Sequence, residues 1–218
     1  MSPLAAIDRT TPISPSEEAA DLHLLAAFLE DRAFPGSGRA AAVCLIDEFG
    51  GLAGVGAADA VTLARAGMSS RAVADLGRVR ALALAMARDE ACRRPVVSSW
   101  SALMTYLRAS LAHAPREQFR ALYLDKRNIL MRDELRADGT VDHAPVYVRE
   151  VVRRALELSA SAMILVHNHP SGDPTPSQAD ITMTRRIIEA ARVFDIRVHD
   201  HVVVGREGTK SFRALGLM

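Results

Sequence analysis

Val166-His167-Asn168-His169-Pro170-Ser171-Gly172-Asp173-Pro174-Thr175-Pro176-Ser177-Gln178-Ala179-Asp180 is the stretch on which the fold turns. It begins inside Met163-Ile164-Leu165-Val166, a short apolar run of the kind that forms a buried strand. In extended backbone, residues two apart project to the same face, so His167 and His169 point the same way at the strand's end. The Pro- and Gly-rich loop then turns the chain back. Thr175-Pro176-Ser177-Gln178 reads as a helix start, with Thr175 capping, Pro176 in the first position and Gln178 closing the box. Asp180 then falls in the first turn or so of that helix, where its carboxylate can meet the two imidazoles. Ile181, Thr184, Ile187, Ile188 and Ala191 form the helix's inner face.

Two imidazoles and one carboxylate leave an open fourth position on tetrahedral zinc, which is the pattern of a catalytic site. His167, His169 and Asp180 are therefore the candidate ligands of one Zn2+ per chain. Water in the open position would have its pKa lowered to about 7, and a general base is needed to carry its proton. Glu117 is the candidate base, because it starts the strand that begins near Phe119; a solvated strand-edge carboxylate is the bland alternative, and Glu150 is the rival base. Ser177 is the candidate oxyanion donor, against the alternative of a helix-start hydroxyl that satisfies a backbone N–H. A second His-x-His, His199-Asp200-His201, has no carboxylate at a suitable distance; its strand is expected beside the site, with Asp200 or His201 orienting a ligand. Two-metal phosphodiester chemistry ranks last, since only one metal's ligands are visible. His167-Asn168-His169 is not read as an HNH nuclease signature, whose residues are spread over separate elements.

Outward from this segment, residues 119–125 read as a strand, 126–128 as a turn and 129–136 as its antiparallel partner, closed by Asp138-Gly139. Residues 148–158 form an amphipathic helix, and 197–204 a closing strand. The C-terminal half, 95–218, is thus α/β (α+β). Upstream the pattern is all-helical. Residues 1–13 read as a mobile tail. Ser14-Pro15-Ser16-Glu17 is a helix start with a capping box, and Phe34 to Gly38 breaks that helix. Helices are expected at 39–49, ended by Gly50-Gly51, at 57–66 and at 71–91. Arg93-Arg94-Pro95 marks a linker, so the helical domain is placed at 14–94; a further helix runs from Ser98-Ser99-Trp100 to about Leu111.

The order helix, Gly67-Met68-Ser69-Ser70 turn, helix resembles a helix-hairpin-helix module, which grips phosphates at a helix N-terminus. Ser69 stands where a second glycine is expected, so the module is degenerate, and a structural helical bundle is the alternative. A net charge of +1 gives no whole-molecule field for nucleic acid. The basic stretches at 149–154 and 185–186 read as solvated helix faces. Cys44 and Cys92 are too few and too far apart for a disulfide framework or zinc ribbon; buried, inert thiols are expected. No run approaches the ~18 apolar residues of a membrane span. No membrane partner and a cytoplasmic location are expected.

His-x-His, seven residues, Ser, two residues, Asp is the JAMM motif, met here at His167, His169, Ser177 and Asp180. By this motif the chain resembles the JAB/MPN metallopeptidases. The wider string His167–Asp173 followed by Pro174-Thr175-Pro176-Ser177 resembles the RadC family in particular, whose members carry a helix-hairpin-helix region before that domain. The resemblance implies a JAB/MPN-like mixed sheet flanked by helices, zinc on His167, His169 and Asp180, and Glu117 as acid/base. It implies a metallopeptidase acting on a peptide or isopeptide bond of a peptide or protein substrate. It also implies a rival role as a DNA-repair accessory factor, with DNA as partner and the zinc domain non-catalytic.

Overall fold

The computed structural model describes residues 14–30, 37–96, 98–138 and 146–218. The expected tail 1–13, residues 34–36 of the expected break and Gly139 of the expected turn lie outside the described residues. Contacts divide the chain into two compact units that meet in sequence between Ala85 and Met86.

The first unit is all-helical. It holds α1 (Pro15–Glu30), α2 (Gly38–Phe49), α3 (Leu52–Ala57), α4 (Ala60–Arg65) and most of α5 (Ser70–Cys92). The capping box at the start of α1 is reciprocal: Ser14 N–H donates to Glu17 Oε2 at 2.9 Å and Glu17 N–H to Ser14 Oγ at 3.3 Å. Gly50, at φ 70°, ends α2 in a left-handed conformation that glycine adopts without strain. The short helix expected at 57–66 is α4, which starts at Ala60, and the unexpected short helix α3 precedes it. Asp59 sets the start of α4, because its carboxylate accepts the Val61 and Thr62 N–H groups. Leu25, Leu29, Ala42, Leu45, Val55, Leu63, Met68, Ala72 and Leu76 make the unit's core. In the hairpin turn Gly67 sits at φ 94°, and Ser69 Oγ accepts the Ala72 N–H at 3.2 Å. A side chain thus takes one of the first free N–H groups of α5. Cys44 is exposed and Cys92 half-buried, contrary to the expectation of buried thiols; Cys44 lies on α2 away from that helix's inward residues Ala42 and Leu45.

The second unit is a three-layer arrangement about a five-stranded mixed sheet. Its strands are β1 (Gln118–Leu124), β2 (Leu130–Asp138), β3 (Ala162–Asn168), β4 (Arg197–Gly205) and β5 (Gly208–Ser211), in the order β2-β1-β3-β4-β5. Only the β3–β4 pair is parallel. Its crossover is α8 (Gln178–Arg192). β3, in the middle, is buried along its whole length, which is why it reads as a continuous apolar run. Strand alternation splits the sheet's side chains between two cores. Leu122, Leu124, Ile164, Val166, Val202 and Val204 pack under α6 (Trp100–Leu111). Phe119, Ala121, Tyr123, Met163 and Leu165 pack under α7 (Val148–Glu157) and α8. β5 has no counterpart in the sequence reading: it is four residues long and owes its pairing to the two-residue turn Arg206-Glu207. The basic run on α7 is only partly a solvated face, since Arg154 reaches β2 and donates to Glu134 at 2.6 Å. Among the described residues no helix is long and apolar enough to cross a membrane.

Candidate metal centre

The centre forms where β3 ends and α8 begins. β1 and β3 are antiparallel with Phe119 opposite His167, so both side chains share the α8 face of the sheet. His169 lies just beyond β3, and its N–H donates to Val204 O at 2.9 Å, which keeps this segment aligned with β4. The helix start expected at Thr175 lies two residues further on. Ser177 is the N-cap, its hydroxyl accepts from Asp180 N–H, and the Asp180 carboxylate accepts from Ser177 N–H in return. Both Thr-x-x-Gln and Ser-x-x-Asp fit the capping grammar. The aspartate wins because an anion in the first turn also meets the helix dipole, and because Thr175 N–H is taken by Asp173 Oδ1 at 2.9 Å. This box sets Asp180 rigidly against the histidines. His167 Nε2 and His169 Nε2 are 2.9 Å apart, Asp180 Oδ1 is 3.4 Å from the first, and Asp180 Oδ2 is 3.6 Å from the second. His167 and Asp180 are buried.

The hydrogen-bond partners of the neutral rings fix their tautomers. Thr184 Oγ1 lies 2.6 Å from Asp180 O, a carbonyl that can only accept, so the hydroxyl's one hydrogen goes there. Toward His201 Nδ1, 2.6 Å away, Oγ1 must accept, so His201 carries its proton on Nδ1. Complete burial pushes the His201 pKa well below the usual value and keeps the ring neutral, so its Nε2 is an acceptor. His167 Nδ1, 2.8 Å from that atom, must therefore donate. His169 Nδ1 faces the Asp173 carbonyl at 2.9 Å and must donate as well. In their neutral forms both rings then turn an Nε2 lone pair toward each other and toward the Asp180 carboxylate.

Two imidazole nitrogens and a carboxylate gathered this closely could hold a metal ion. Burial alone would raise the Asp180 pKa, but the His167 and His169 imidazoles and the Ser177 hydroxyl outweigh it and hold the carboxyl far below the usual range. His169 is raised, chiefly by Asp180, although burial opposes this. Both directions show a pocket that draws positive charge. A small tetrahedral ion with bonds of about 2.0–2.1 Å separates its ligands by about 3.3 Å; the two Nε2 atoms, and each of them to its nearer Asp180 oxygen, are spaced close to that value. Among the described residues, these three form the one group of His, Cys, Asp and Glu side chains arranged to hold a metal ion.

The remaining candidates sort clearly. Glu117 is half-buried, immediately before β1, and the β1–β3 register continued by one pair of steps sets it opposite His169. Its charge is among those that raise the His169 pKa. Ser177 donates to Asp180 Oδ2 at 2.7 Å. Glu150 is engaged by Arg149 and Arg153 on its own helix. Of the second histidine pair, His201 orients His167, whereas His199 faces Asn128 Oδ1 at 2.6 Å. Asp200 turns away, accepting from Ser211 Oγ at 2.5 Å and from the Arg213 N–H at 3.1 Å. Thr184 and Asn168 are site residues that sequence reasoning missed. The available signal for Thr184 was a hydroxyl inside an otherwise aliphatic helix face, one turn after a candidate ligand.

The sequence profile of the RadC-like JAB domain matches residues 97–217. The chain belongs to the RadC-like JAB family. A UPF0758 protein of Rhodobacter capsulatus is 54% identical over 175 residues, covering 80% of this chain and 82% of that protein. The family match takes in β1 through β5 and every residue placed around the metal centre. The RadC-like unit is thus the part of the chain that holds the His167, His169 and Asp180 cluster.

Proposed function

We propose that the RadC-like JAB unit is a zinc-dependent hydrolase of peptide or isopeptide bonds in a peptide or protein substrate. The supporting observation is the convergence of the His167 and His169 Nε2 atoms on the Asp180 carboxylate, all three residues held by hydrogen bonds from outside the cluster. His167, His169 and Asp180 would hold the zinc ion, which when bound polarises a carbonyl and acidifies water. The chain's own residues do the rest. Glu117 takes a proton from the attacking water and passes it to the leaving nitrogen. Ser177 turns its O–H from Asp180 to the substrate oxygen as negative charge develops there. His201 and Thr184 keep the His167 proton on Nδ1, so that Nε2 stays available as a ligand atom.

The test is metal analysis of the purified full chain, paired with a peptide-library cleavage screen with and without chelator. One zinc per chain and chelator-sensitive cleavage are expected. His169→Ala should lose both. Cleavage that persists in a zinc-free His169→Ala preparation would end the proposal.

A further inference from the structure

Asn168 stands between the two histidines in sequence, and strand alternation sends its side chain to the opposite face of β3. That side chain is fully buried, at 1% exposure. Its Oδ1 accepts the Gln118 N–H at 2.9 Å, and its Nδ2 donates to the Arg116 carbonyl at 3.0 Å. A second, longer contact of 3.5 Å runs from Nδ2 to the Ala114 carbonyl. The Arg116 carbonyl belongs to the peptide group before Glu117, and the Gln118 N–H to the peptide group after it. Both planes on which the Glu117 backbone dihedrals turn are therefore held by one side-chain amide. β1–β3 pairing ends at Phe119 and His167, so this amide takes over where backbone ladder bonds stop.

We propose that Asn168 is the positioning residue for Glu117, tying the direction of that side chain to the strand that carries both imidazole ligands. This rests on the reading of Glu117 as the proton carrier. The clamp needs a donor and an acceptor on one rigid plane. Aspartate would keep the bond from Gln118 N–H but place a second acceptor against the Arg116 carbonyl, and alanine would supply neither bond. Freed from both peptide planes, Glu117 can rotate away from the bound water while the ligands stay in place. A misplacement of about 1 Å is enough to cost up to about a hundredfold in rate.

The test uses the full chain loaded with cobalt for spectroscopy and with zinc for turnover on a peptide from the library screen. Asn168→Ala should keep one metal per chain and the large paramagnetic shifts of His167 and His169, while the shift of the Glu117 side-chain protons collapses. Its kcat should fall by about tenfold to a hundredfold with KM within about twofold. Asn168→Asp should fall between Asn168→Ala and the wild type. The loss should vanish in the Glu117→Gln background, because a carboxylate that is gone can no longer be misplaced. An unmoved Glu117 shift, or an Asn168→Ala loss that persists in full without Glu117, would overturn the proposal and leave Asn168 a packing residue. Loss of metal in both Asn168 variants would overturn it too. Wild-type turnover in Glu117→Gln would instead refute the base assignment, and is recognised separately because Asn168→Ala would still move the Glu117 shift.

Discussion

Thr184→Val is the most incisive perturbation of the centre, because it removes one oxygen, touches no ligand and keeps the side-chain shape. Thr184 is fully buried on α8, and its Oγ1 accepts from His201 Nδ1 at 2.6 Å while donating to the Asp180 carbonyl at 2.6 Å. The carbonyl keeps its helical N–H partner, as any residue in a helix interior does, so its loss is small. The imidazole has no such reserve. It must either bury an unpaired Nδ1–H, at about 1–3 kcal/mol, or move its proton to Nε2. The second route sets two N–H groups against each other across the 2.8 Å contact to His167. His167 would then protonate Nε2, the atom aimed at the metal position. Metal affinity should fall by about ten- to a hundredfold, the usual effect of removing a residue that orients a ligand. The measurement is zinc competition against a chromophoric chelator, run on the wild type, Thr184→Val and Thr184→Ser. Serine restores the hydroxyl and should recover most of the affinity. Wild-type affinity in Thr184→Val, or equal losses in valine and serine, would show that the hydroxyl's proton order does not reach the ligand.

Four further outcomes follow from the geometry. Asp180→Asn should bind no zinc yet stay folded by circular dichroism, since an amide can still accept the Ser177 N–H bond that closes the cap. Gly205→Ala should destabilise by about 1–3 kcal/mol in urea titrations, and weaken zinc binding, because its Cβ would stand 2.0 Å from the backbone oxygen of Gly172 in the loop between the ligands. Tyr106→Phe should cost about 1.5–3 kcal/mol in the same assay, since its hydroxyl donates at 2.6 Å to Asp133, a buried carboxylate that Arg120 also contacts. Glu134 is held below the usual carboxylate range first by its hydrogen bonds from Arg154, with burial opposing. A pKa depressed in the folded state gives stability that is complete above the unfolded value and is lost as pH falls through the folded one. Glu134→Gln should therefore destabilise at pH 7 and show a shallower acid limb than the wild type.

The outline of the second unit was legible because each of its main elements carries a local signature. β3 is apolar from Ala162 to Val166, and α8 has a clean inner face of Thr184, Ile187 and Ala191. The grouping of the candidate ligands was legible for the same reason: a two-residue period on a strand and a helix start are both short-range rules. What the sequence hid depends on register between distant segments. β5 is too short to announce itself. Thr175 and Ser177 offer rival caps within two residues, and the bond from Thr175 to Asp173, invisible in either capping pattern, helps decide between them. Asn168 sits in plain view between two histidines, yet its role depends on chain fifty residues upstream at Arg116 and Gln118. His201 was legible as a neighbour of the site, but Thr184 was needed to say which of its nitrogens carries the proton.

That dependence has a physical consequence for how the centre is built. The Asp180 carbonyl, the Thr184 hydroxyl, His201 and His167 form a chain in which each member has a single choice of proton direction, and that choice is set at the helix end. Asp180 therefore enters the site twice: its carboxylate faces the candidate metal position, while its own carbonyl starts the chain that directs the proton of His167 to Nδ1. The capping box that begins α8 places the carboxylate and, through the same residue, the carbonyl. A shift of α8 along its axis would therefore disturb a ligand and the tautomer of its neighbour together. The fold can hold an electron-rich cluster in a buried pocket because β3, β4 and α8 are each pinned to the others by bonds of this kind. That frame holds His167, His169 and Asp180 together in an arrangement that could bind a metal ion.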